Sequence, residues 1–449
     1  MLNYAWTNTV RSLRQRIGLS TLVVATIAIG LGLLMTVRTM GYNDSRDPVP
    51  GRGNQLHAVQ FDTRPLSDST DFDIVRSGEL PYLDAANLVA LETPATAQVM
   101  LWSIFGIISD ADDNELEPLD VLGTATTGNM FETFNLRFEF GGAWEPGSDA
   151  RPEAVAVIDH RTNGYLFGGV DSIGRQLRLN ETMVTVVGVL AQTQRQRRFY
   201  DGSFEQGHPS HIFVPHGLAR QENFGRLGRT ACVPYEESEG VTVNDEAAME
   251  CSWVSFWTWL ESPEAISGYR EVIANYVLEQ KKVGRLPREN VAHVTSLHGR
   301  HQLLEERYSR HSLFNAIATM FFLVCLVNAM GILLAKFMAR TKEMSLRRAL
   351  GATRAAIVLE HLLEVACLGI IAGTLGIGLA YLGLRGMIKV ELYARDYTVT
   401  AESIQTFFEL DMTMMLVAAG VSLVSGLLIG LYPIWRVCQV PPGSQLRSQ

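Results

Sequence analysis

The sequence predicts a membrane protein with four transmembrane α-helices and a large α+β domain inserted between the first and second helices. Of its 449 residues, 47% are hydrophobic and 19% are charged, which suits neither a wholly soluble chain nor one buried entirely in lipid. Four apolar stretches of about 20 residues, each long enough to cross the hydrocarbon as a helix, form the membrane part. They lie at 19–37, 312–335, 365–384 and 412–435. Four such stretches in one chain disfavour the alternative of buried core helices.

The lysines and arginines of the connecting segments set the predicted orientation of the spans. Six of them lie between the second and third spans, whereas the segment between the third and fourth spans holds three cations against five anions. Because cytoplasmic loops carry the excess of lysine and arginine, both termini should be cytoplasmic. The predicted segments are a cytoplasmic N-terminal segment (1–18), the first span (19–40), an external domain with a stalk (41–311), the second span (312–336), a cytoplasmic helix loop (337–361), the third span (362–384), an external loop (385–411), the fourth span (412–435) and a cytoplasmic tail (436–449).

The first span has one alternative interpretation, a cleaved signal peptide. Arg11, Arg14 and Arg16 precede it, as cations precede the apolar core of a leader. Its apolar run is longer than such a core, and its exit, TVRTM at 36–40, has no small-x-small cleavage site. We therefore expect an uncleaved membrane anchor.

Charge is distributed unevenly between the external domain and the rest of the chain. Residues 41–312 hold 23 lysines and arginines against 39 aspartates and glutamates, a net charge of −16, and the other residues carry +7. Such an acidic domain repels phosphate backbones, so nucleic-acid binding is disfavoured. Arg38 and Lys336 stand at span ends, where we expect both side chains to extend toward lipid headgroups, and Glu364 stands at the start of the third span.

Strand and helix patterns predict the α+β character of the external domain. Residues 56–63 alternate as a strand does, and residues 79–91 have the apolar spacing of a helix that starts near a proline. Ser262, Pro263 and Glu264 form a helix start, with an N-cap acceptor, a first-turn proline and an acid at the positive dipole end. That helix should run to about residue 281.

The end of the external domain shows two further patterns. Trp253, Trp257 and Trp259 are predicted to share one face of a strand, with core packing favoured over a ligand platform. Between about 289 and 311, apolar and aromatic positions recur at helical spacing, which predicts a stalk that leads into the second span. These positions are Leu297, His301, Leu304 and Tyr308.

Two external cysteines, Cys232 and Cys251, flank an acidic loop with little apolar content. The other three cysteines lie in or beside the spans, where cysteine behaves as a small apolar residue. In an oxidising compartment, a bridge between Cys232 and Cys251 would contribute roughly 3 kcal/mol to stability. We predict this disulfide. The alternatives are two unpaired thiols and, less favoured because no histidine lies alongside, a metal pair.

The segment ARTKEMSLRRALGATRAAIVLEHLLE, at 339–364, places a short amphipathic helix with a cationic face between two apolar runs. Glu343, Arg347 and Arg348 lie within two turns of it, and Gly351 is placed to end the helix as a C-cap. One interpretation is that the cations only fix topology and touch lipid headgroups. That interpretation leaves the acidic residues of the segment unexplained.

At these residues the chain resembles the MacB/FtsX-type ABC transporter permeases. The run RTKEMSLRRALGATRAAIVLEHLLE is similar to the family's signature, in which ALGA precedes a helix that ends in a glutamate. Residues 152–190, with LFG and VVGV elements, resemble the periplasmic core domain of MacB-like proteins, and residues 426–447 resemble the last span and its exit. The resemblance covers nearly the whole chain in the correct order.

The resemblance implies a permease subunit in the bacterial inner membrane, with a periplasmic domain and a cytoplasmic coupling helix that seats in an ABC ATP-binding subunit. Permeases of this kind work as dimers, here of two copies or of this chain and a paralogue. Ser345 stands where a glycine is common in the family. The docking positions that carry over are Glu343, Arg347, Arg348, Ala349, Leu350, Gly351 and Ala352.

A phosphate-binding loop of the form G-x-x-x-x-G-K-[ST] does not occur in the sequence. We therefore expect no catalytic site and no directly bound cofactor, with ATP hydrolysed by a partner polypeptide. The implied mechanism is mechanotransmission, in which closure of the ATPases drives a change in the periplasmic domain and hence export or efflux. A periplasmic adaptor, an outer-membrane channel and membrane lipid are further expected partners.

Two alternatives remain within the family. A lipoprotein-extraction permease would need an apolar cleft for acyl chains, and an FtsX-like regulator of cell-wall hydrolases usually has a smaller external domain. A structural or receptor role outside the ABC class would need no ATPase partner.

Enzymatic and metal-binding functions are disfavoured. His208, His211 and His216 are spaced as metal ligands can be, but no acid or cysteine nearby completes a site. The acidic run at 110–115 lacks the ligand order of an EF-hand loop, and no G-x-S-x-G element occurs. A metal site is therefore not expected.

Overall fold

The computed structural model describes residues 16–64, 66–67, 79–111, 115–145, 149, 153–192, 199–200, 210–228, 251–289, 291–307, 310–349, 351, 353–394 and 408–439. The chain divides into two compact units. One contains residues 1–46, 308–394 and 404–449, and the other contains residues 47–307 and 395–403. We call them the membrane unit and the external domain.

In chain order the elements are α1 (Ile17–Ser45), β1 (Leu56–Phe61), β2 (Glu79–Pro81), α2 (Tyr82–Ala90), β3 (Ala97–Asp110), β4 (Leu119–Thr126), α3 (Met130–Thr133), β5 (Phe138–Gly141), β6 (Val155–Ile158), α4 (His160–Phe167), β7 (Gln176–Leu179), β8 (Thr182–Leu190), β9 (Ile212–Pro215), α5 (His216–Gln221), β10 (Arg226–Leu227), β11 (Ser252–Trp259), α6 (Pro263–Lys282), β12 (Ala292–Ser296), α7 (Leu297–Arg307), α8 (Arg310–Met338), α9 (Thr341–Ala349), α10 (Arg354–Ala394) and α11 (Met412–Cys438).

Four helices of the membrane unit, α1, α8, α10 and α11, are long and apolar enough to span a bilayer. They confirm the four predicted spans and the insertion of the α+β domain between the first and the second. Each helix is longer than the apolar stretch that predicted it. The extension is largest in α10, where the segment after the α9 helix continues into the third span as one helix of 41 residues.

Small residues allow the membrane helices to pack closely. A Cβ atom added to Gly32 of α1 would lie 2.8 Å from Leu379 Cβ on α10, and one added to Gly376 of α10 would lie 2.8 Å from Leu31 Cδ2 on α1. Both contacts are too short for a larger residue. Two turns earlier on α10, the Gly369 carbonyl accepts a hydrogen bond from the Ser422 hydroxyl of α11 at 2.7 Å. In a membrane, where lipid competes for apolar contacts, small residues and interhelical hydrogen bonds are the main source of such packing.

The external domain is built on a mixed β-sheet whose described strands follow the order β12-β1-β11-β3-β4-β9-β6-β8-β5. Most neighbours are antiparallel, but β4 pairs with β9, and β6 with β8, in parallel. The 14-residue strand β3 organises the sheet, since it pairs with β11 over one half and with β4 over most of its length. Its far end also pairs with β7, which continues to β8.

Two hydrophobic cores lie within this domain, one containing Trp102 and Tyr269 and the other Phe131 and Trp257. Strand β11 contributes to both cores, as expected for a strand with alternating faces. Trp257 and Trp259 belong to the second core, as predicted. Trp253 does not share their core, because the register with β2 shifts between Ser252 and Val254. It packs instead against Tyr82 and Trp102.

Two helix starts in the external domain lie where the sequence predicts them, whereas the stalk before the second span does not. Ser262 caps α6 as predicted, with its hydroxyl accepting from the Ala265 amide at 3.1 Å. The helix of the 79–91 segment starts directly after Pro81, near the proline where it was predicted to start, and the residues before it form strand β2. The predicted stalk is shorter than expected, because residues 292–296 pair with β1 as strand β12 and helix α7 starts at Leu297.

Candidate functional site

The candidate site is the short helix α9, which connects α8 to α10. The Thr341 hydroxyl at its start donates to the Met338 carbonyl at 2.8 Å. At its end Gly351 has φ +100°, a left-handed conformation that favours glycine, and its amide donates to the Arg348 carbonyl at 3.1 Å. This confirms the predicted C-cap. Thr353 then caps α10, since its hydroxyl accepts from the Ala356 amide at 3.3 Å.

Helix α9 has a large apolar side chain on its exposed side as well as one on its buried side. Met344 and Ser345 are buried, so the position where the family commonly has glycine holds a buried serine. Leu346 is 53% exposed. Glu343 is exposed one turn earlier on the helix.

A chain of ion pairs joins α9 to α10. Arg347 lies 2.6 Å from Glu343 within α9 and 3.3 Å from Glu360 on α10. The Arg347 guanidinium thereby bridges an exposed carboxylate and a largely buried one. The guanidinium is planar and has several N–H donors, so it can bind both carboxylates at once. This bridge therefore fixes the orientation of α9 relative to the start of α10.

A second and deeper group of charges joins three helices. The Lys336 ammonium of α8 lies 2.5 Å from the Glu364 carboxylate of α10, and both side chains are fully buried. Lys336 also donates to the Ser20 hydroxyl of α1 at 2.7 Å. Arg340, just before α9, lies 3.8 Å from Glu364 and 3.5 Å from Glu343, so it links this group to the ion pairs of α9. We call these residues, with Arg347 and Glu360, the charged belt.

The position of Lys336 corrects the expectation from sequence. A lysine at a span end was expected to extend toward the headgroups, but its side chain is completely buried. The reason is Glu364 of α10, which lies 28 residues further along the chain and supplies a compensating charge. The available signal was the pair of opposite charges at the facing ends of two apolar runs.

The structure places the predicted docking residues as follows. Glu343 and Arg347 belong to the charged belt, Arg348 is half-buried, and Gly351 forms the turn. Ala349 is the last residue of α9. Leu350 and Ala352 lie outside the described residues. Glu360, Lys336 and Glu364, which were not predicted as site residues, are brought together with them.

The predicted disulfide is described at one end only. Cys251 is disulfide-bonded, and its predicted partner, Cys232, lies outside the described residues. Cys325 and Cys367 of the membrane helices are free. The pairing of Cys232 with Cys251 stays a prediction.

The histidines considered as metal ligands have other surroundings. His211 Nδ1 lies 3.1 Å from the Asp159 carboxylate, and His216 packs edge-on against Trp102. Burial, with a smaller contribution from Arg220, lowers the pKa of His216 to about 4. His208 lies outside the described residues. Within the described part of the chain, no group of three or more histidine, cysteine or acidic side chains could hold a metal ion.

Comparison with known proteins bears on both units. Residues 20–250 match the family model of the MacB-like periplasmic core domain, and residues 315–442 match that of the FtsX-like permease C-terminal region. The periplasmic region of MacB from Actinobacillus actinomycetemcomitans aligns with 57% of this chain and 95% of its own, with 12% identity and a TM-score of 0.36.

Two curated relatives cover most of this chain. A macrolide export ATP-binding/permease protein MacB of Burkholderia cenocepacia is 23% identical over 394 residues, covering 86% of this chain and 49% of that protein. A protein of Pseudomonas fluorescens described as a "probable export ATP-binding/permease protein" is 24% identical over 389 residues, covering 84% of this chain and 51% of that protein. The chain thus spans about half the length of these relatives.

Proposed function

The chain belongs to the MacB-type ABC exporter permease family, and we propose that its α9 helix couples ATP hydrolysis by an ABC ATPase to conformational change in its periplasmic domain. Permeases of this family work with ABC ATPase partners. The two relatives described above are both named as ATP-binding/permease proteins. The ATPase of this transporter, in our proposal, is a separate polypeptide that receives α9 from the cytoplasmic side.

The observation that carries the proposal is the combination of two features in α9. Its exposed side presents Leu346 to a partner, and its inward side is held to the membrane helices by the charged belt. An apolar side chain gives binding energy when a partner pocket desolvates it. The ion pairs give the helix a fixed orientation, so a displacement of α9 also displaces α8 and α10.

The direction of transmission follows from the order of the helices along the chain. Lys336 and Ser20 connect the charged belt to α8 and α1, the two membrane helices between which the external domain is inserted. Movement of these two helices would act on both ends of that domain. We propose this mechanotransmission as the step that drives export, with both termini in the cytoplasm and the chain in the inner membrane.

The remaining partners follow from the proposed export function. A periplasmic adaptor and an outer-membrane channel would carry the exported molecule onward, and a second permease copy or paralogue would complete the membrane part. The MacB-like domain matched by residues 20–250 supports export over regulation of cell-wall hydrolases.

The experiment that tests this function compares two exposed apolar residues. The tagged full chain is purified from native membranes in mild detergent, and the co-purifying ATPase is identified and assayed. Leu346→Asp should reduce the recovered ATPase activity by about tenfold or more, as loss of a central apolar contact does. Val283→Asp is the control, because Val283 is 71% exposed but belongs to the external domain.

Each outcome of this comparison has a clear meaning. Loss of ATPase with Leu346→Asp, but not with Val283→Asp, supports docking through α9. Equal recovery of ATPase from wild type and Leu346→Asp would remove α9 as the docking element. A preparation of wild-type chain without any ATPase would overturn the proposed function as a whole.

A further inference from the structure

One buried side chain of the membrane unit has polar atoms without hydrogen bonds. His361 lies on α10 and is only 3% exposed. Neither of its ring nitrogens has a hydrogen-bond partner of normal geometry among the residues that the structure describes, although the Ile357 carbonyl lies near the ring. Buried polar atoms of this kind are rare, because folding removes their hydrogen bonds to water without replacing them. His361 therefore costs stability in the arrangement that the structure shows.

His361 lies beside the charged belt. Its ring packs against the Phe337 ring of α8, and the two ring centroids are 4.6 Å apart. Phe337 directly follows Lys336, and Glu364 comes three residues after His361. Helices α8 and α10 thus make two neighbouring contacts, one between these aromatic rings and one between the buried ammonium and carboxylate.

The imidazole of His361 and the carboxylate of Glu364 belong to the same face of α10, since residues three apart are neighbours on a helix surface. In the structure that carboxylate is bound by Lys336 at 2.5 Å and lies 3.8 Å from Arg340. A neutral imidazole is a weak competitor for a carboxylate, whereas an imidazolium is a strong one, because it is positively charged and both of its nitrogens donate. The charge of His361 therefore determines which cation Glu364 binds.

The charged groups on the elements around His361 are mainly those of the charged belt. Lys336 and Arg340 oppose a further positive charge at the ring, and Glu364 favours one. Arg16, Arg354 and Arg436, at the same end of α1, α10 and α11, are exposed. The remaining charged groups of α9 and the start of α10 are Glu343, Arg347, Arg348 and Glu360.

We propose that His361 is a proton-binding site whose occupation releases α8 from α10. In the closed arrangement, which the structure shows, the ring is neutral and Lys336 binds Glu364. In an open arrangement, a proton from the adjoining aqueous side adds to the lone pair of a ring nitrogen, and the imidazolium binds the Glu364 carboxylate in place of Lys336. The Lys336 ammonium then loses its partner on α10 and can move away with α8.

The difference in proton binding between the two arrangements sets the size of the effect. The closed arrangement offers an imidazolium no hydrogen-bond partner, so it favours the neutral ring. In the open arrangement the imidazole should titrate at about pH 6.5, its usual value. Lowering the pH from about 7.5 to about 5.5 should therefore raise the ratio of open to closed molecules about tenfold.

This inference rests on the proposed function only in placing this end of the membrane helices at the cytoplasmic surface. The open and closed arrangements differ within one chain, so their test needs neither an ATPase nor a nucleotide. Docking through α9 is tested separately by recovery of the ATPase. Failure of the proton site and failure of the ATPase coupling can therefore be distinguished.

The test is the distance between two spin labels on the full chain in nanodiscs, measured by pulsed electron paramagnetic resonance at about pH 7.5 and about pH 5.5. The labels are attached to Met338→Cys on α8 and Leu359→Cys on α10, where the native side chains are both exposed. The other cysteines of the membrane unit, Cys325, Cys367 and Cys438, are replaced by alanine. An excess of chain without the two introduced cysteines is co-expressed, so that distances within one copy dominate.

Two controls accompany this measurement. A label pair in the opposite halves of the same helices, Met320→Cys and Leu382→Cys, detects any general loosening by acid. His361→Phe keeps an aromatic contact with Phe337 but cannot bind a proton. His361→Gln is a second neutral variant, for use if the first does not fold.

We expect the first label pair to show a longer second distance, whose population relative to the shorter one rises about tenfold at the lower pH. Both neutral variants should keep the shorter distance at both pH values. The proposal is overturned if the chain with His361 gives the same distances at both pH values. It is also overturned if a neutral variant responds to pH as strongly, or if the second label pair changes as much as the first.

Discussion

Lys336 and Glu364 form an ion pair at 2.5 Å that is completely buried among the membrane helices. Removing two charges from water is expensive, and their attraction offsets that cost only while both are present. The pair therefore holds α8 and α10 together in a way that depends on each partner. Ser20 extends this connection to α1 through its hydrogen bond with Lys336.

We predict that removing one partner of this pair destabilises the membrane unit more than removing both. Lys336→Met should lower the free energy of unfolding by about 3–5 kcal/mol, because it leaves the Glu364 carboxylate buried without its main compensating charge. The double variant Lys336→Met/Glu364→Leu should recover much of this loss. Thermal unfolding in detergent measures both effects. A double variant less stable than Lys336→Met would contradict the prediction.

A charge exchange tests the bridge between α9 and α10. Arg347→Glu places a third carboxylate beside Glu343 and Glu360 and should weaken the fixed orientation of α9. We expect the ATP-dependent change in limited proteolysis of the external domain, measured in nanodiscs with the co-purified ATPase, to be lost. Adding Glu360→Arg should restore part of the change. If Arg347→Glu alone responds to ATP as wild type does, the bridge is not part of the transmission.

The buried His216 predicts a loss of stability in acid. Burial and Arg220 lower its pKa from 6.5 to about 4, so the folded chain binds the proton more weakly than the unfolded chain. The stability that neutral His216 contributes to the folded chain is fully present above about pH 6.5. It is lost as the pH falls toward about 4, and the total loss is roughly 3 kcal/mol.

The measurement for His216 is thermal unfolding of the full chain at about pH 7.5 and about pH 4.5. His216→Leu, which keeps an apolar contact with Trp102, should lose less stability between the two pH values than wild type does. His57 and His293, whose pKa values burial also lowers, are common to both proteins, so the difference isolates His216. Identical losses in the two proteins would show that His216 is not the responsible group.

Because Cys251 is disulfide-bonded, replacing it should lower the stability of the oxidised protein but not that of the reduced protein. Cys251→Ser should destabilise the external domain by roughly 3 kcal/mol, and peptide mapping without reduction should find Cys251 joined to Cys232. Cys367→Ser serves as the control, since Cys367 is free. A map that joins Cys251 to any other cysteine would correct the predicted pairing.

The features that sequence predicted well are those set by neighbouring residues. The apolar length of the four spans, the Ser262 cap and the Gly351 turn each depend on a few consecutive positions. The α9 helix itself was located by its local charge and apolar pattern. These local patterns predict the folded structure correctly because they do not depend on residues that are distant in the sequence.

The features that sequence missed depend on partners far along the chain. Lys336 is buried because Glu364 and Ser20 come to it from two other helices. Residues 292–296 form a strand because β1 offers an open edge more than 200 residues earlier. Trp253 changes core because the strand pairing shifts beside it. Hydropathy and periodicity contain no information about such partners.

The continuity of α10 has a mechanical consequence. Its 41 residues measure about 60 Å at 1.5 Å per residue, roughly twice the thickness of the hydrocarbon. It contains no proline, the commonest cause of a kink, whereas α11 contains Pro433. If α10 tilts as a rigid rod within the bilayer, its two ends move in opposite directions, as the ends of a lever do. A tilt of about 10° would displace one end by about 10 Å relative to the other. Glu360, near one end of this lever, is where the force from α9 would be applied.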